Sequence, residues 1–477
     1  MIRTKIVATL GPATDSEETI GQLLEAGVDV FRLNFSHGTL EQHARTLDRI
    51  RRACRQRGSL AAVMGDLCGP KIRVDPVEDD AFDIAVGDRI QIVGGHLVGN
   101  AQRFSTNRPE LIHELKVGHR ILIDDGMICL RVAEAHDDAL SCVCEVGGTI
   151  RTRKGLNMPD SHLAMSAITD KDREDFAWAL EHGLDYVALS FVRSAGDLRE
   201  LGELMPLGSG GCPIVAKIET VAAISHLDEI IEAADVVLVA RGDLGVEMDL
   251  AEVPLLQKRI VRKCQQAGKP AIVATQMLQS MVGAPTATRA EVSDVANAIL
   301  DGCDCVMLSA ETSVGAYPVQ SVRMMNRIAE QTEAYLNRQS AAARVDASRT
   351  MRRITTAVAH GANLLARELE AKLVGVWTQT GNTARLLSKT RLNVPVVGLS
   401  PDETVCRRMS LYYGVIPMRR KRQAEMPAML GELDRVLLEQ HFARPGDLIV
   451  VIAGTRLEHD GATNSLLMHL VAAFTEE

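Results

Sequence analysis

Lys217 and Glu219 stand two residues apart at the end of an apolar run, Ile214-Val215-Ala216-Lys217-Ile218-Glu219, so a strand would present an ammonium and a carboxylate on one face. A second carboxylate, Asp243, follows the next apolar run, Val236–Ala240. Two carboxylates with nearby serine and threonine hydroxyls are hard oxygen donors, suited to Mg²⁺ or Mn²⁺ and not to zinc. An ammonium beside such a cation suits a substrate that concentrates negative charge, such as a phosphoryl group or an enolate. Arg32, Asn34, Ser36 and His37 come from one turn, and Asp66 and Arg73 from the next. Arginines aimed at one place fit bidentate phosphate recognition. The chain has no Gly-x-x-x-x-Gly-Lys-Ser/Thr loop and no dinucleotide glycine fingerprint, so a nucleotide would have to bind by another arrangement.

These residues need elements that bring them together. Eight short apolar runs recur: Lys5–Leu10, Val28–Leu33, Leu60–Met64, Tyr186–Ser190, Ile214–Ile218, Val236–Ala240, Ala271–Ala274 and Cys305–Leu308. Helical patterns separate them, signalled by Ser16-Glu17-Glu18, by Asp170-Lys171-Asp172-Arg173-Glu174 and by the capping box Thr288-Arg289-Ala290-Glu291. Eight βα repeats predict an α/β fold, a closed parallel (β/α)8 TIM barrel. Nearly every run ends in polar groups: Arg32 and Asn34, Asp66, Ser190, Lys217 and Glu219, Arg241 and Asp243, Thr275, then Ser309 and Glu311. One polar strand end is ordinary, but seven that converge on one rim describe a barrel active site.

The βα spacing breaks between the third and fourth runs, where short alternating stretches carry the turn signals Val86-Gly87-Asp88, Val117-Gly118-His119 and Asp124-Asp125-Gly126. This predicts a small β-rich domain over 72–158, inserted at the face where the site lies and able to act as a lid. The barrel then occupies 1–71 and 159–343. Beyond the polar stretch Ser340–Ser348, strands at Leu373–Trp377, Val394–Leu399, Val415–Pro417 and Leu448–Ile452 predict a C-terminal doubly wound α/β domain over 344–477.

Composition narrows the function further. The chain has 477 residues, 46% hydrophobic but only 3% aromatic, as suits small aliphatic strands buried under helices. A net charge of −9 and a single isolated basic run, Arg419-Arg420-Lys421-Arg422, argue against nucleic acid as a partner. Ten scattered cysteines read as reduced core residues, with Cys142/Cys144 and Cys303/Cys305 paired on strand faces. No signal peptide and no apolar window of membrane-spanning length is visible, so a soluble, cytoplasmic protein without a membrane partner is expected.

The motifs together resemble pyruvate kinase: Arg32-Leu33-Asn34-Phe35-Ser36-His37-Gly38, Ile214 to Glu219, Ala240-Arg241-Gly242-Asp243-Leu244-Gly245-Val246-Glu247, Ala274-Thr275-Gln276-Met277-Leu278 and Met307-Leu308-Ser309-Ala310-Glu311-Thr312. The match runs in order from Thr4 to the C-terminal domain. It implies transfer of a phosphoryl group from phosphoenolpyruvate to ADP, giving pyruvate and ATP. It further implies that Lys217 neutralises the phosphoryl in flight, that Glu219 and Asp243 hold the divalent metal, and that Arg32 grips the phosphate. Gly242 and Asp243 with Thr275 would hold the substrate carboxylate, and Thr275 with Ser309 would lie on the proton route. Asn34, His37 and Arg73 would serve the nucleotide. A homotetramer is also implied.

Three positions depart from the family pattern. Ser194 and Val314 stand where many members carry lysines, and Asp66-Leu67-Cys68-Gly69-Pro70-Lys71 carries Lys71 in place of glutamate. Asn34, Ser36, Asp66 and the Leu67 carbonyl resemble a monovalent-cation cage. In the family, the lysine accompanies potassium independence, so no K⁺ requirement is expected. Thr378-Gln379-Thr380-Gly381-Asn382-Thr383 follows a strand and opens a helix, an arrangement that suits an anion, with Gly461 near the chain end able to close over it. It resembles the family's allosteric pocket, which implies activation by a sugar phosphate or nucleotide monophosphate. Two rivals are a metal-dependent barrel lyase or aldolase acting on a pyruvate enolate, and a catalytically silent metabolite sensor. Lys217 and the insertion weigh against the first, and the intact rim against the second.

Overall fold

Eight parallel strands close into a ring in the computed structural model, each successive run pairing with the next and the first with the last. They are Lys5–Thr9, Val30–Asn34, Ala62–Asp66, Tyr186–Leu189, Ile214–Ile218, Val236–Ala240, Ala271–Ala274 and Cys305–Leu308. The structure describes residues 2–161, 166–206, 211–339, 353–423, 425–454 and 464–472.

The second and third strands start two residues later than the apolar runs suggest. In both cases a helix uses the first residues of the run to close itself. Gly27 turns left-handed at φ +108°, and the Val28 N–H then bonds back to Leu23 O at 3.1 Å. Gly58 does the same at φ +61°, with Ser59 N–H bonded to Cys54 O at 2.9 Å. Helix starts follow their signals. Ser16 Oγ accepts from Thr19 N, and Thr288 and Glu291 form the reciprocal capping box.

Alternation along the strands divides the core. Ala216 and Ile218 pack outward against helices, whereas Val215 faces the barrel interior with Met64, Ala188 and Leu238. Lys217 shares the inward parity of Val215 and so points its ammonium into the ring. The interior cluster continues into Leu387, Met409 and Leu411 of the C-terminal domain, which plugs the amino-terminal end of the barrel. The Tyr186 hydroxyl donates to Arg408 O at 2.6 Å across that junction.

Residues from Ile72 to Asn157 build a seven-stranded, mainly antiparallel sheet and a two-stranded ribbon with their own apolar core. Its turns are those signalled in the sequence: Asp124 and Asp125 both have φ +54° and Gly126 +83°. The C-terminal sheet runs in the order Val415–Arg419, Val396–Ser400, Val374–Trp377, Leu448–Ala453, Ser465–Leu470. The last strand is antiparallel, and the sequence reading did not include it. Nine of the ten cysteines are buried, all are free thiols, and Cys68 is half-buried. Among the described residues no helix is long and apolar enough to cross a membrane.

The plug is held by a buried ion pair, Lys389 of the C-terminal domain to Asp304 ahead of the eighth strand, both about 1% exposed. Asp304 also accepts from Ala271 N at 2.7 Å. Lys389→Met leaves that carboxylate facing only the more distant Arg391 guanidinium, 4.0 Å away, and is expected to cost about 3–5 kcal/mol in urea unfolding, with Lys389→Met/Asp304→Asn recovering part of the loss. Equal stability of the wild type and the single variant would refute this.

Candidate active site

The carboxyl ends of the strands carry a buried cluster of four charges. Arg32, on the second strand, donates from Nε to Asp66 Oδ2 at 2.6 Å and from Nη1 to Thr9 Oγ1 at 3.0 Å. Lys217, on the fifth strand, has its Nζ 2.6 Å from Ser190 Oγ, 2.9 Å from Glu219 Oε1 and 3.4 Å from Asp66 Oδ1. Ser190 in turn donates to Leu67 O at 2.8 Å. Burial would raise the Asp66 carboxyl, but Lys217 and Arg32 outweigh it and hold the group below the usual carboxylate range. Burial likewise opposes the Lys217 charge, and Asp66 and Glu219 overcome it, lifting its pKa above that of an ordinary lysine. Glu219 moves up, first through burial and further through Asp243, with Lys217 opposing.

Asp243 stands in a short helix, Arg241–Glu247, that begins where the sixth strand ends. Gly242 N–H donates to Thr275 Oγ1 at 2.6 Å, and that hydroxyl donates to Ala274 O at 2.6 Å. A Cβ on Gly242 would sit 3.3 Å from Thr275 Oγ1, tight enough that glycine suits this approach. Thr275 and Gln276 adopt φ of +70° and +55°, a conformation costly for a β-branched residue. Arg241 holds it by donating from Nη2 to Thr275 O at 2.9 Å while Nη1 meets Asp294 at 2.7 Å. At the eighth strand, Ser309 N–H donates to Glu311 Oε2 at 2.8 Å, and Leu278 N–H to Oε1 at 3.0 Å. The buried Glu311 thus ties the seventh and eighth strand ends together.

The donor set fits a hard divalent cation. Glu219 and Asp243 lie close enough for Asp243 to act on the Glu219 carboxyl, and a cation held by these two would leave its remaining positions to substrate oxygens and water. Mg²⁺ and Mn²⁺ are bound in that manner, whereas a structural zinc site is closed by protein ligands.

Of the residues expected to form a monovalent-cation cage, Asp66 and the Leu67 carbonyl belong to this cluster. Asn34 Oδ1 accepts from Ser36 N at 3.1 Å, Leu67 O from Ser190, and Asp66 from Arg32 and Lys217. Lys71 runs along Gly155, its Cε 3.1 Å from where a Cβ there would stand, and lines a cleft of roughly 250 Å³ with Asp243, Glu247, Asn157 and Phe191. His37 is exposed, and its carbonyl meets His43 Nε2 at 2.9 Å. Arg73 lies apart from the charge cluster, donating to Arg153 O at 3.0 Å inside the inserted domain.

The Thr378–Thr383 loop lies far along the chain and in the other domain. Gly381 is left-handed at φ +76°, its N–H donates to Thr378 Oγ1 at 3.0 Å, and Asn382 Nδ2 donates to Thr380 Oγ1 at 2.9 Å. Thr378 and Thr383 are buried. Gly461 lies outside the described residues.

Several residues that shape the site were not singled out as functional in the sequence. Ser190 was visible only as one polar strand end among seven, yet it is the nearest partner of Lys217. Phe191 N–H donates to Glu219 Oε2 at 2.8 Å from a left-handed φ of +55°, and neither feature has a sequence signal. Arg241 and Glu247 flank Asp243 in its motif, but what they touch depends on distant loops.

A family model described as the pyruvate kinase barrel domain matches residues 1–322, and one described as the pyruvate kinase alpha/beta domain matches 356–469. A pyruvate kinase of Agrobacterium vitis is 42% identical over 474 residues, covering 99% of this chain and 97% of that protein. One of Geobacillus stearothermophilus is 40% identical over 474 residues, covering 98% of this chain and 80% of that protein. The crystal structure of a pyruvate kinase from Cryptosporidium parvum superposes with a TM-score of 0.91 at 32% identity, covering 98% of this chain and 96% of that one. With two domain models, near-full-length relatives and a rim built of alternating buried charges, the chain belongs to the pyruvate kinase family and transfers a phosphoryl group between phosphoenolpyruvate and ADP.

Proposed function

We propose that the phosphoryl group crosses the rim under the ammonium of Lys217, and the observation that carries this is an inward-facing lysine held among Ser190, Glu219 and Asp66. Arg32 is fixed by Asp66 and Thr9 and keeps Nη2 without a partner among the described residues, which suits a grip on the phosphate. Glu219 and Asp243 would hold Mg²⁺ or Mn²⁺, which when bound supplies positive charge to the phosphoryl and enolate oxygens. The amides of Gly242 and Asp243 with the Thr275 hydroxyl orient the substrate carboxylate. The bond from phosphorus to the enol oxygen breaks, a terminal ADP oxygen takes the phosphoryl, and the enolate carbon takes a proton by way of Thr275 and Ser309 to give pyruvate. Asn34, His37 and Arg73 serve the nucleotide.

Lys71 stands in for potassium. Its side chain runs into the cleft, and the oxygens of Asn34, Asp66 and Leu67 already accept protein donors. Two like charges about 4 Å apart repel by roughly 4 kcal/mol at an effective dielectric near 20, so ammonium and K⁺ exclude each other.

The C-terminal domain binds a phosphorylated activator, a sugar phosphate or nucleotide monophosphate. Its strand order reverses between Val374–Trp377 and Leu448–Ala453, and ligands of open α/β sheets bind beyond the carboxyl ends at such a switch point. The Thr378–Thr383 loop leaves the first of these strands. A cytoplasmic homotetramer fits the exposed apolar side chains Leu300 and Tyr335 on the barrel and Ile354, Leu364, Met468 and Leu470 on the C-terminal domain. Sedimentation velocity reads that assembly directly.

Lys217→Met is expected to lower kcat by ~10²–10³-fold or more while KM for phosphoenolpyruvate changes little, since preorganised charge of this kind acts in the transition state. Near-normal turnover would remove the assignment. With Mg²⁺ and tetramethylammonium as the sole monovalent cation, the wild type should be fully active, and Lys71→Glu should become dependent on KCl. Strong KCl stimulation of the wild type at constant ionic strength would contradict this. Sugar phosphates or AMP should shift the phosphoenolpyruvate saturation curve to lower concentration and perturb the fluorescence of Trp377, which directly precedes the loop, and Thr383→Glu should abolish both. An unmoved curve would sink the regulatory reading.

A further inference from the structure

The short helix that carries Asp243 is gripped at both ends. At its start Gly242 N–H is bonded to Thr275 Oγ1 at 2.6 Å, and at its end Glu247 Oε1 accepts from Asn157 Nδ2 at 2.9 Å. Asn157 closes the last strand of the inserted domain, Gly155–Asn157, which pairs with Ile72 and Arg73 on one side and Leu122 and Ile123 on the other. A side chain of the inserted domain therefore reaches across the cleft to Glu247 on the barrel rim, and Asp243 lines the same cleft. Asp243 and Glu247 are four residues apart and face the same way on the helix. At Gly126, the tip of a second turn of the inserted domain, a Cβ would stand 3.8 Å from Val246 Cγ1, so this helix is where the domain lands.

We infer that the Asn157–Glu247 hydrogen bond is the catch that seats the inserted domain on the rim, and that Glu247 is a positioning residue that passes the domain's docking to Asp243 and Gly242. The reason is geometric. A helix of seven residues spans roughly 10 Å and is stiff on that scale, so displacing one end displaces the other. When the domain lifts, the carboxyl end of the helix loses this tether, while its amino end stays held through Arg241 and Gly242. When it docks, both ends are fixed and water is excluded from the cleft, as a closing lid requires. A conserved-shape replacement of either partner keeps the bond only if a donor still faces an acceptor, which makes the pair testable by exchange. The inference rests on the proposed role of Asp243 in the site.

Five variants test it: Asn157→Ala, Glu247→Ala, the double alanine variant, and Asn157→Asp with and without Glu247→Gln. Asn157→Ala and Glu247→Ala should each lower kcat/KM for phosphoenolpyruvate by about 10- to 100-fold, with the double variant no worse than the poorer single one, because both remove one contact. Asn157→Asp faces two carboxylates and should be at least as damaged, whereas Asn157→Asp/Glu247→Gln restores a donor opposite an acceptor and should recover most of the activity. Hydrogen exchange in Arg120–Ile123 and Gly155–Asn157 should show substrate-induced protection in the wild type and the exchanged pair but not in the alanine variants. Additive losses, an exchanged pair no better than Asn157→Asp alone, or unchanged protection in Asn157→Ala would overturn the catch. Mn²⁺ binding to Asp243→Asn, followed by electron paramagnetic resonance, separates the two readings: retained binding removes the site assignment, whereas lost binding with additive alanine losses removes only the catch.

Discussion

Everything at this rim depends on burying four charges that alternate in sign. Arg32, Asp66, Lys217 and Glu219 form a chain in which each cation touches a carboxylate. An isolated pair 2.9 Å apart, the Lys217–Glu219 distance, attracts by about 6 kcal/mol at an effective dielectric near 20, and taking each ion out of water costs several kcal/mol. The two sums nearly cancel. Such a cluster therefore adds little to folding stability, and any single neutralisation leaves an uncompensated buried charge. The fold has to be stabilised elsewhere, in the apolar layer between strands and helices and in the junction with the C-terminal domain, so that the rim is free to serve the chemistry.

The barrel and the cluster were legible in the sequence for one physical reason. Strands buried on both sides read as short apolar runs, and a barrel gathers the residue after each run on one face. The spacing of Lys217 and Glu219 then needs only the two-residue period of a strand. What could not be read lies at contacts made across long sequence separations. The two-residue delay of the second and third strands comes from Gly27 and Gly58, whose helix caps take Val28 and Ser59 for themselves. The strand Ser465–Leu470 went unread because it lies at a sheet edge, with Met468 and Leu470 exposed, and so shows no buried run. The left-handed Thr275 and Phe191 are imposed by Arg241 and by Glu219, and a local sequence gives no hint of either.

The C-terminal domain enters the same logic from the opposite end of the barrel. Its helix Asn382–Lys389 begins at the Thr378–Thr383 loop and ends at Lys389, which meets Asp304 immediately before the eighth strand. That strand delivers Ser309 to the rim. A helix of eight residues spans about 12 Å and deforms little, so a rigid element with a buried ion pair at its foot joins the loop to the strand. Proximity of this kind is a mechanical connection. It becomes allosteric coupling only if the loop has two arrangements that a ligand distinguishes.

The ammonium of Lys217 has three protons and three partners, at 2.6, 2.9 and 3.4 Å. In the proposed role it would give one up to reach a phosphoryl oxygen, and the longest contact, to Asp66, is the weakest. Asp66 does not become a bare buried carboxylate when that happens, because Arg32 holds its other oxygen at 2.6 Å. The lysine would thus exchange one anion for another, with the local charge pairing unchanged and with no water needed to screen the step. A lone lysine on a neutral strand would have to be desolvated anew for each substrate, at a cost of several kcal/mol. The alternation of charge that leaves the folded state nearly indifferent to this cluster is what would let its cation follow a phosphoryl group at small energetic cost.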